Sequence, residues 1–177
     1  MLSFTAPVIT ESSRYSYRVQ AADVGVAATA TDVLVLYGSS TRTIRVNRIQ
    51  ATADATAQSV IDFYVYKRTA LDTGGTSTVL NIAKNDSLDP DSTATVRLYS
   101  ANPAALGSGI LFAGDHYALP AAASTGYPGV PWVEDFGVRN DKSLILRGPN
   151  ECVAFSLDGQ TIPAGFVLYA GMSWTEM

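Results

Sequence analysis

The sequence predicts an all-β fold, a single-domain antiparallel sandwich of the jelly-roll kind, and three observations predict it. Apolar residues recur at every second position, the period of a half-buried strand. β-Branched and aromatic residues, which fit a pleated surface, supply much of the length of those runs. Clusters of Gly, Pro, Asn, Asp and Ser separate them at short intervals, and no window carries a convincing amphipathic helix.

In chain order, residues 1–13 read as an N-terminal arm, with few alternating apolar positions. The domain proper spans 14–177. Its strands are expected near 14–20, 24–29, 32–38, 42–53, 58–69, 94–100, 109–113, 131–136, 143–147, 151–157 and 165–175. The alternation is plain at Ile44 and Val46, and at Ile61, Phe63 and Val65 against Asp62, Tyr64 and Tyr66. It returns at Leu144 and Leu146, at Val153, Phe155 and Leu157, and at Phe166, Leu168 and Ala170. The alanine-rich stretches at 51–57 and 121–123 are too short, or too broken by Thr, Asp and Pro, to hold a helix. Three connections exceed hairpin turns: the glycine-centred 71–77, the acidic 85–91, and 114–131, whose glycines and prolines argue against regular structure. Loops of that length usually carry function or contact a neighbour.

Composition narrows the function classes. The 177 residues are enough for one domain with a real core, and 47% hydrophobic against 16% charged content excludes a disordered chain. No apolar run approaches the roughly 20 residues of a membrane span. The N-terminus has neither a basic nor an apolar leader region, so export by a classical signal is not expected. A formal charge of −4 and a pI near 4.8 argue against a nucleic-acid partner. Cys152 is the sole cysteine, so no intrachain disulfide can form, and its apolar setting reads as a small buried hydrophobe.

Catalytic constellations are weak. His116 is the only imidazole, no Gly-x-Ser-x-Gly elbow accompanies it, and it reads as an exposed loop residue or an interface contact. Glu134 and Asp135 are adjacent on a strand and so point to opposite faces, which keeps them from converging on one bond. Gly107-Ser108-Gly109 lacks the setting of a nucleotide-binding loop. No enzyme and no cofactor are expected. Asp86, Asp89 and Asp91 read as solvated turn acids, with a calcium site as the alternative.

Surface residues give the better signal. Arg42, Arg45 and Arg48 punctuate one strand, where Arg42 and Arg48 are expected to share a face and Arg45 the other. They read either as an ordinary solvent face or as intersubunit partners for carboxylates. Tyr64 and Tyr66 lie opposite an apolar face, so their strand is expected to be covered twice, by its own core and by another subunit. Tyr117, Tyr127 and Trp132 are the loop aromatics that a glycan-binding module would use.

The stretch from Asp32 to Pro103 and the tail from Ser143 to Glu176 resemble a group of small virion proteins of tailed bacteriophages and prophages. The likeness rests on Ser40-Thr41-Arg42-Thr43-Ile44-Arg45-Val46, on Lys67-Arg68-Thr69-Ala70 followed by Thr73-Gly74-Gly75-Thr76-Ser77-Thr78, and on Asp86-Ser87 then Thr93-Ala94-Thr95-Val96. It continues through Leu144-Ile145-Leu146-Arg147-Gly148, Val153-Ala154-Phe155-Ser156-Leu157-Asp158-Gly159 and the closing Trp174-Thr175-Glu176. The segment from Ala104 to Asn140 lies outside it.

The resemblance implies a jelly-roll capsid decoration (cement) protein on the outer surface of the virion, made in the host cytoplasm. Its implied partners are the major capsid protein and copies of itself, as a homotrimer or another homo-oligomer, with no nucleic acid and no membrane. The alternatives are a receptor- or glycan-binding fibre module and a head–tail or tail structural subunit.

Overall fold

The computed structural model describes residues 14–121, 130–137 and 142–177; the expected arm and Tyr127 lie outside the described residues. Among them run twelve strands: β1 (Tyr15–Val24), β2 (Asp32–Tyr37), β3 (Ile44–Asp54), β4 (Ser59–Arg68), β5 (Thr76–Val79), β6 (Ala83–Lys84), β7 (Thr95–Ala101), β8 (Gly109–Leu119), β9 (Trp132–Asp135), β10 (Leu144–Leu146), β11 (Cys152–Ser156) and β12 (Val167–Glu176). No helix occurs among the described residues.

The strands form two antiparallel sheets. One has the order β10-β3-β12-β1-β6, with β9 also on β3; the other has the order β5-β7-β2-β11-β4-β8. With β5, β6 and β7 set aside, the chain follows jelly-roll order. β1 pairs with β12, β2 with β11, β3 with β9 and β10, and β4 with β8, while β1 to β4 alternate between the sheets.

The inward faces meet in one core. Phe63 of β4 lies at its centre, stacked on Tyr117 at 4.6 Å and edge-on to Phe155 at 5.1 Å and Trp132 at 5.8 Å. Trp132 comes from the first sheet and the others from the second, so this aromatic cluster spans the interlayer space. Tyr17 and Trp174 form a second fully buried pair at 6.0 Å.

β2 and β11 are buried at every position, and not at alternate ones. Both are central strands of the second sheet, and loops cover that sheet's outer side. The 69–75 and 102–108 segments, tied together at Thr73 and Ala105, fold back there. Beneath lies a small second core of Val35, Tyr37, Tyr99, Cys152 and Ala154. Gly107 makes this possible, because a Cβ there would lie 1.9 Å from the Ala70 carbonyl oxygen.

Four expectations are corrected. No strand forms over 24–29: β1 ends at Val24, and the carbonyls of Ala28, Ala30 and Thr31 accept hydrogen bonds from the N–H groups of Ile162, Gly159 and Leu157. β8 does not stop at 113 but runs to Leu119, because β4 is long enough to pair with it throughout and glycine is tolerated at a strand edge. That removes its first residues from the expected 114–131 loop. β5 and β6 are additional strands, too short to show a period. Finally, Asn47 forms a bulge opposite the Ser173–Trp174 step, which resets the alternation and turns Arg48 to the same outward face as Arg45. Arg42 precedes the strand.

Candidate functional site

β8 is the outermost strand of the second sheet. It pairs with β4 from Gly109 opposite Arg68 to Leu119 opposite Ser59, and its other edge has no strand partner among the described residues. A bulge at Phe112 interrupts the ladder between the Val65 and Tyr66 pairings. At that point three consecutive apolar side chains are exposed: Ile110 at 65%, Leu111 at 52% and Phe112 at 49%. Phe112 meets the ring of Phe136, beyond β9 of the other sheet, edge-on at 5.5 Å. An apolar row on an open backbone edge is a place where another chain adds on.

A polar belt flanks this edge on the outer side of the sheet. The Tyr64 hydroxyl donates to Asp62 Oδ2 and the Tyr66 hydroxyl to Asp158 Oδ1, each at 3.1 Å. His116 Nδ1 contacts Asp62 Oδ1. The Tyr64 ring lies over Gly114, where a Cβ would stand 2.5 Å from its Cδ1. Partial burial, then the hydrogen bond to Asp62, raises the Tyr64 phenol above its ordinary range. Gln160 braces the belt by donating to the carbonyls of Asp62 and Leu157 while accepting from the Asp62 N–H. Tyr64 and Tyr66 therefore do face away from the core, as the alternation implies.

Two of the remaining interface candidates are not surface residues. Tyr117 and Trp132 are 6% and 8% exposed and belong to the aromatic core, so neither is a loop aromatic open to a glycan. The reason is the length of β8 and the pairing of β9 with β3, which draw both rings between the sheets. His116 is exposed but stands on a strand, not a loop. Cys152 is buried, as its apolar setting implies, and burial together with the Asp72 and Asp32 carboxylates pushes its thiol up to about 12. Asp86 Oδ1 accepts from the Leu88 N–H, and Asp91 pairs with Lys84. No group of three or more His, Cys, Asp or Glu that could hold a metal occurs among the described residues.

The arginines divide by location. Arg48 makes a two-pronged pair with Asp135 across β3 and β9, at 2.5 and 3.0 Å. Arg45 projects beside it, its Nε enclosed and without a hydrogen-bond partner among the described residues. Arg42 instead reaches inward, its guanidinium 4.6 Å from the Tyr15 ring centroid and 3.3 Å from Glu176 Oε2.

Two buried charge sites centre on carboxylates that the sequence reading does not pick as functional candidates, although Arg42 belongs to the first. Glu176, fully buried, accepts from Ser92 Oγ at 2.5 Å, Thr93 Oγ1 at 2.8 Å, the N–H groups of Thr93 and Ala94, Trp174 Nε1 and Arg42. Burial alone would raise its pKa, but these donors together hold it below the usual carboxylate range. Arg68, 6% exposed, grips Asp32 through Nε and Nη2 at 2.6 and 2.8 Å and donates to the Gly107 carbonyl. Asp72 adds a second buried carboxylate 3.6 Å from Arg68 Nε. Its Oδ1 accepts the Gly107 N–H, while Oδ2 has no hydrogen-bond partner among the described residues. Burial, and then the Asp32 charge, raise Asp72 to about 6 against the pull of that N–H and of Arg68. No local signal marks either site: Glu176 closes the mixed run Ser173-Trp174-Thr175, and Asp72 follows Lys67-Arg68-Thr69-Ala70-Leu71.

No protein-family model, no curated protein and no solved structure matches the chain. No helix among the described residues is long and apolar enough to cross a membrane.

Proposed function

We propose that the chain is a structural subunit of a virion, of the capsid-decorating kind, and that it works by adhering to neighbouring subunits instead of by catalysis. The observation that carries the reading is the β8 edge, where Ile110, Leu111 and Phe112 stand exposed in a row on an open strand. A two-sheet sandwich with loops folded over one face is stiff, and an adhesive subunit needs stiffness plus one sticky border. The likeness of the 32–103 and 143–176 stretches to small phage virion proteins supports the same reading. So does the acidic balance, which suits a position away from packaged nucleic acid. Attachment at many equivalent lattice points would multiply modest contacts through avidity.

The test is a particle reconstruction with copy counting by quantitative mass spectrometry. Hundreds of copies on the outer shell are expected, and a handful at a tail tip would favour a fibre or tail component. In parallel, Ile110→Lys with Leu111→Lys should lower attachment to particles at least tenfold. Both side chains are exposed, so the thermal midpoint should hardly move. Attachment at the level of the unaltered protein would remove β8 as the binding edge.

A further inference from the structure

On the outer face of the first sheet, away from β8, the register brings two arginines across from one another. Arg18 of β1 lies opposite Ser173 of β12, and Ser173 lies opposite Arg48 of β3. The small Ser173 leaves a cleft of about 320 Å³ between them. One row along, Gln20 and Gln50 flank Gly171 in the same way. Their side-chain amides meet at 3.4 Å and close that end of the cleft. One row in the other direction, Arg45 lies opposite Thr175.

The face is basic on a chain whose net charge is −4. Around the cleft it carries Arg18, Arg45 and Arg48 against Asp135, which pairs with Arg48; Asp54, the next outward carboxylate on β3, stands two rows beyond Gln50. Among the described residues Arg18 is bonded only to the neutral Asn85 side chain, at 3.2 Å. We propose that this cleft binds an extended acidic peptide segment of a partner protein, seating one carboxylate between Arg18 and Arg48 and another at Arg45.

Three features favour that occupant. Strands β1 and β3 are two sheet spacings apart, about 9–10 Å, which leaves room above the Ser173 hydroxyl for one carboxylate between Arg18 and the part of the Arg48 guanidinium that Asp135 does not engage. Successive outward rows lie about 7 Å apart, the separation of side chains i and i+2 in an extended chain. Arg48 already shows the recognition chemistry, since it holds Asp135 in a planar two-pronged pair. The inference rests on this face alone and stands whether or not the chain belongs to a virion.

The test is fluorescence polarisation with a labelled Glu-Ser-Glu-Ser-Glu peptide and its Gln-Ser-Gln-Ser-Gln counterpart, with a thymidine oligonucleotide and a sulfated oligosaccharide as further arms. The acidic peptide should bind at least tenfold more tightly than the amide version, and more tightly than either polyanion. Arg18→Ala combined with Arg45→Ala should weaken it at least tenfold. Ser173→Glu, which places a carboxylate in the cleft, should abolish it with the circular dichroism spectrum unchanged. Equal binding of the two peptides overturns the proposal. So does indifference to the arginine substitutions, or tighter binding of the oligonucleotide or the saccharide.

Discussion

Glu176 and Asp72 are both fully enclosed carboxylates near an arginine, yet their proton affinities move in opposite directions. Glu176 is surrounded by donors: two hydroxyls, two backbone N–H groups, an indole N–H and a guanidinium. Asp72 has one N–H, shares Arg68 with the better-placed Asp32, and leaves an oxygen unsatisfied. Burial raises both carboxyls; the supply of donors decides the sign. Glu176 joins the end of β12 to the 92–94 segment as an ion, whereas Asp72 sits among the loops over the second core with a tendency to take up a proton.

Removing one partner from each site should therefore give unlike results. Glu176→Gln strands Arg42 and presents an amide to groups that donate, so a loss of about 3 kcal/mol is expected in urea unfolding at pH 7. Asp72→Asn keeps the shape and removes an undercompensated charge, so at pH 7 it should be neutral or stabilising. The signs follow from linkage. Glu176 has a depressed folded pKa; its contribution is complete above the unfolded value and is lost as pH falls through the folded one. Asp72 has a raised folded pKa. Its contribution is complete below the unfolded value near 3.8 and is lost as pH rises through about 6. That window corresponds to about 3 kcal/mol. Unfolding curves between pH 4 and pH 7 should show the stability of the unaltered chain declining relative to Asp72→Asn. Parallel curves would mean that Asp72 is ionised throughout.

The same contrast shows what a sequence can and cannot disclose. Alternation at Ile61, Phe63 and Val65 marks β4 because one side of that strand faces the core and the other does not. β2 and β11 are apolar on both sides, so their runs indicate strand without indicating a face. The second half of β8, beyond the expected 109–113, is hidden for the opposite reason. Its edge position leaves most of it exposed, so no apolar period forms, and Gly114 within it reads as a loop residue. The bulge at Asn47 reverses the facing of Arg48 without any mark in the residues around it. Tyr117 and Trp132 look like surface aromatics until the pairing of β8 and β9 places them between the sheets. Sites such as those of Glu176 and Asp72 depend on partners about 80 and 35 positions away, which no local pattern carries.

Among the donors to Glu176, Ser92 makes the shortest contact and is the least costly to remove. Ser92→Ala deletes one hydroxyl, and Thr93, Ala94, Trp174 and Arg42 still attend the carboxylate. Because the site is rich in donors, the loss at pH 7 should be about 1 kcal/mol, well below that of Glu176→Gln. The more telling readout is the acid limb. With one donor fewer, the folded pKa of Glu176 rises toward the unfolded value, so acid unfolding should begin at higher pH. Were Ser92→Ala to cost as much as Glu176→Gln with no change in the acid midpoint, the hydroxyl would be holding the 92–94 turn, through its bond to the Ala94 N–H. The donor supply would then not set the charge of Glu176, and the contrast with Asp72 would have to rest on Arg42 alone.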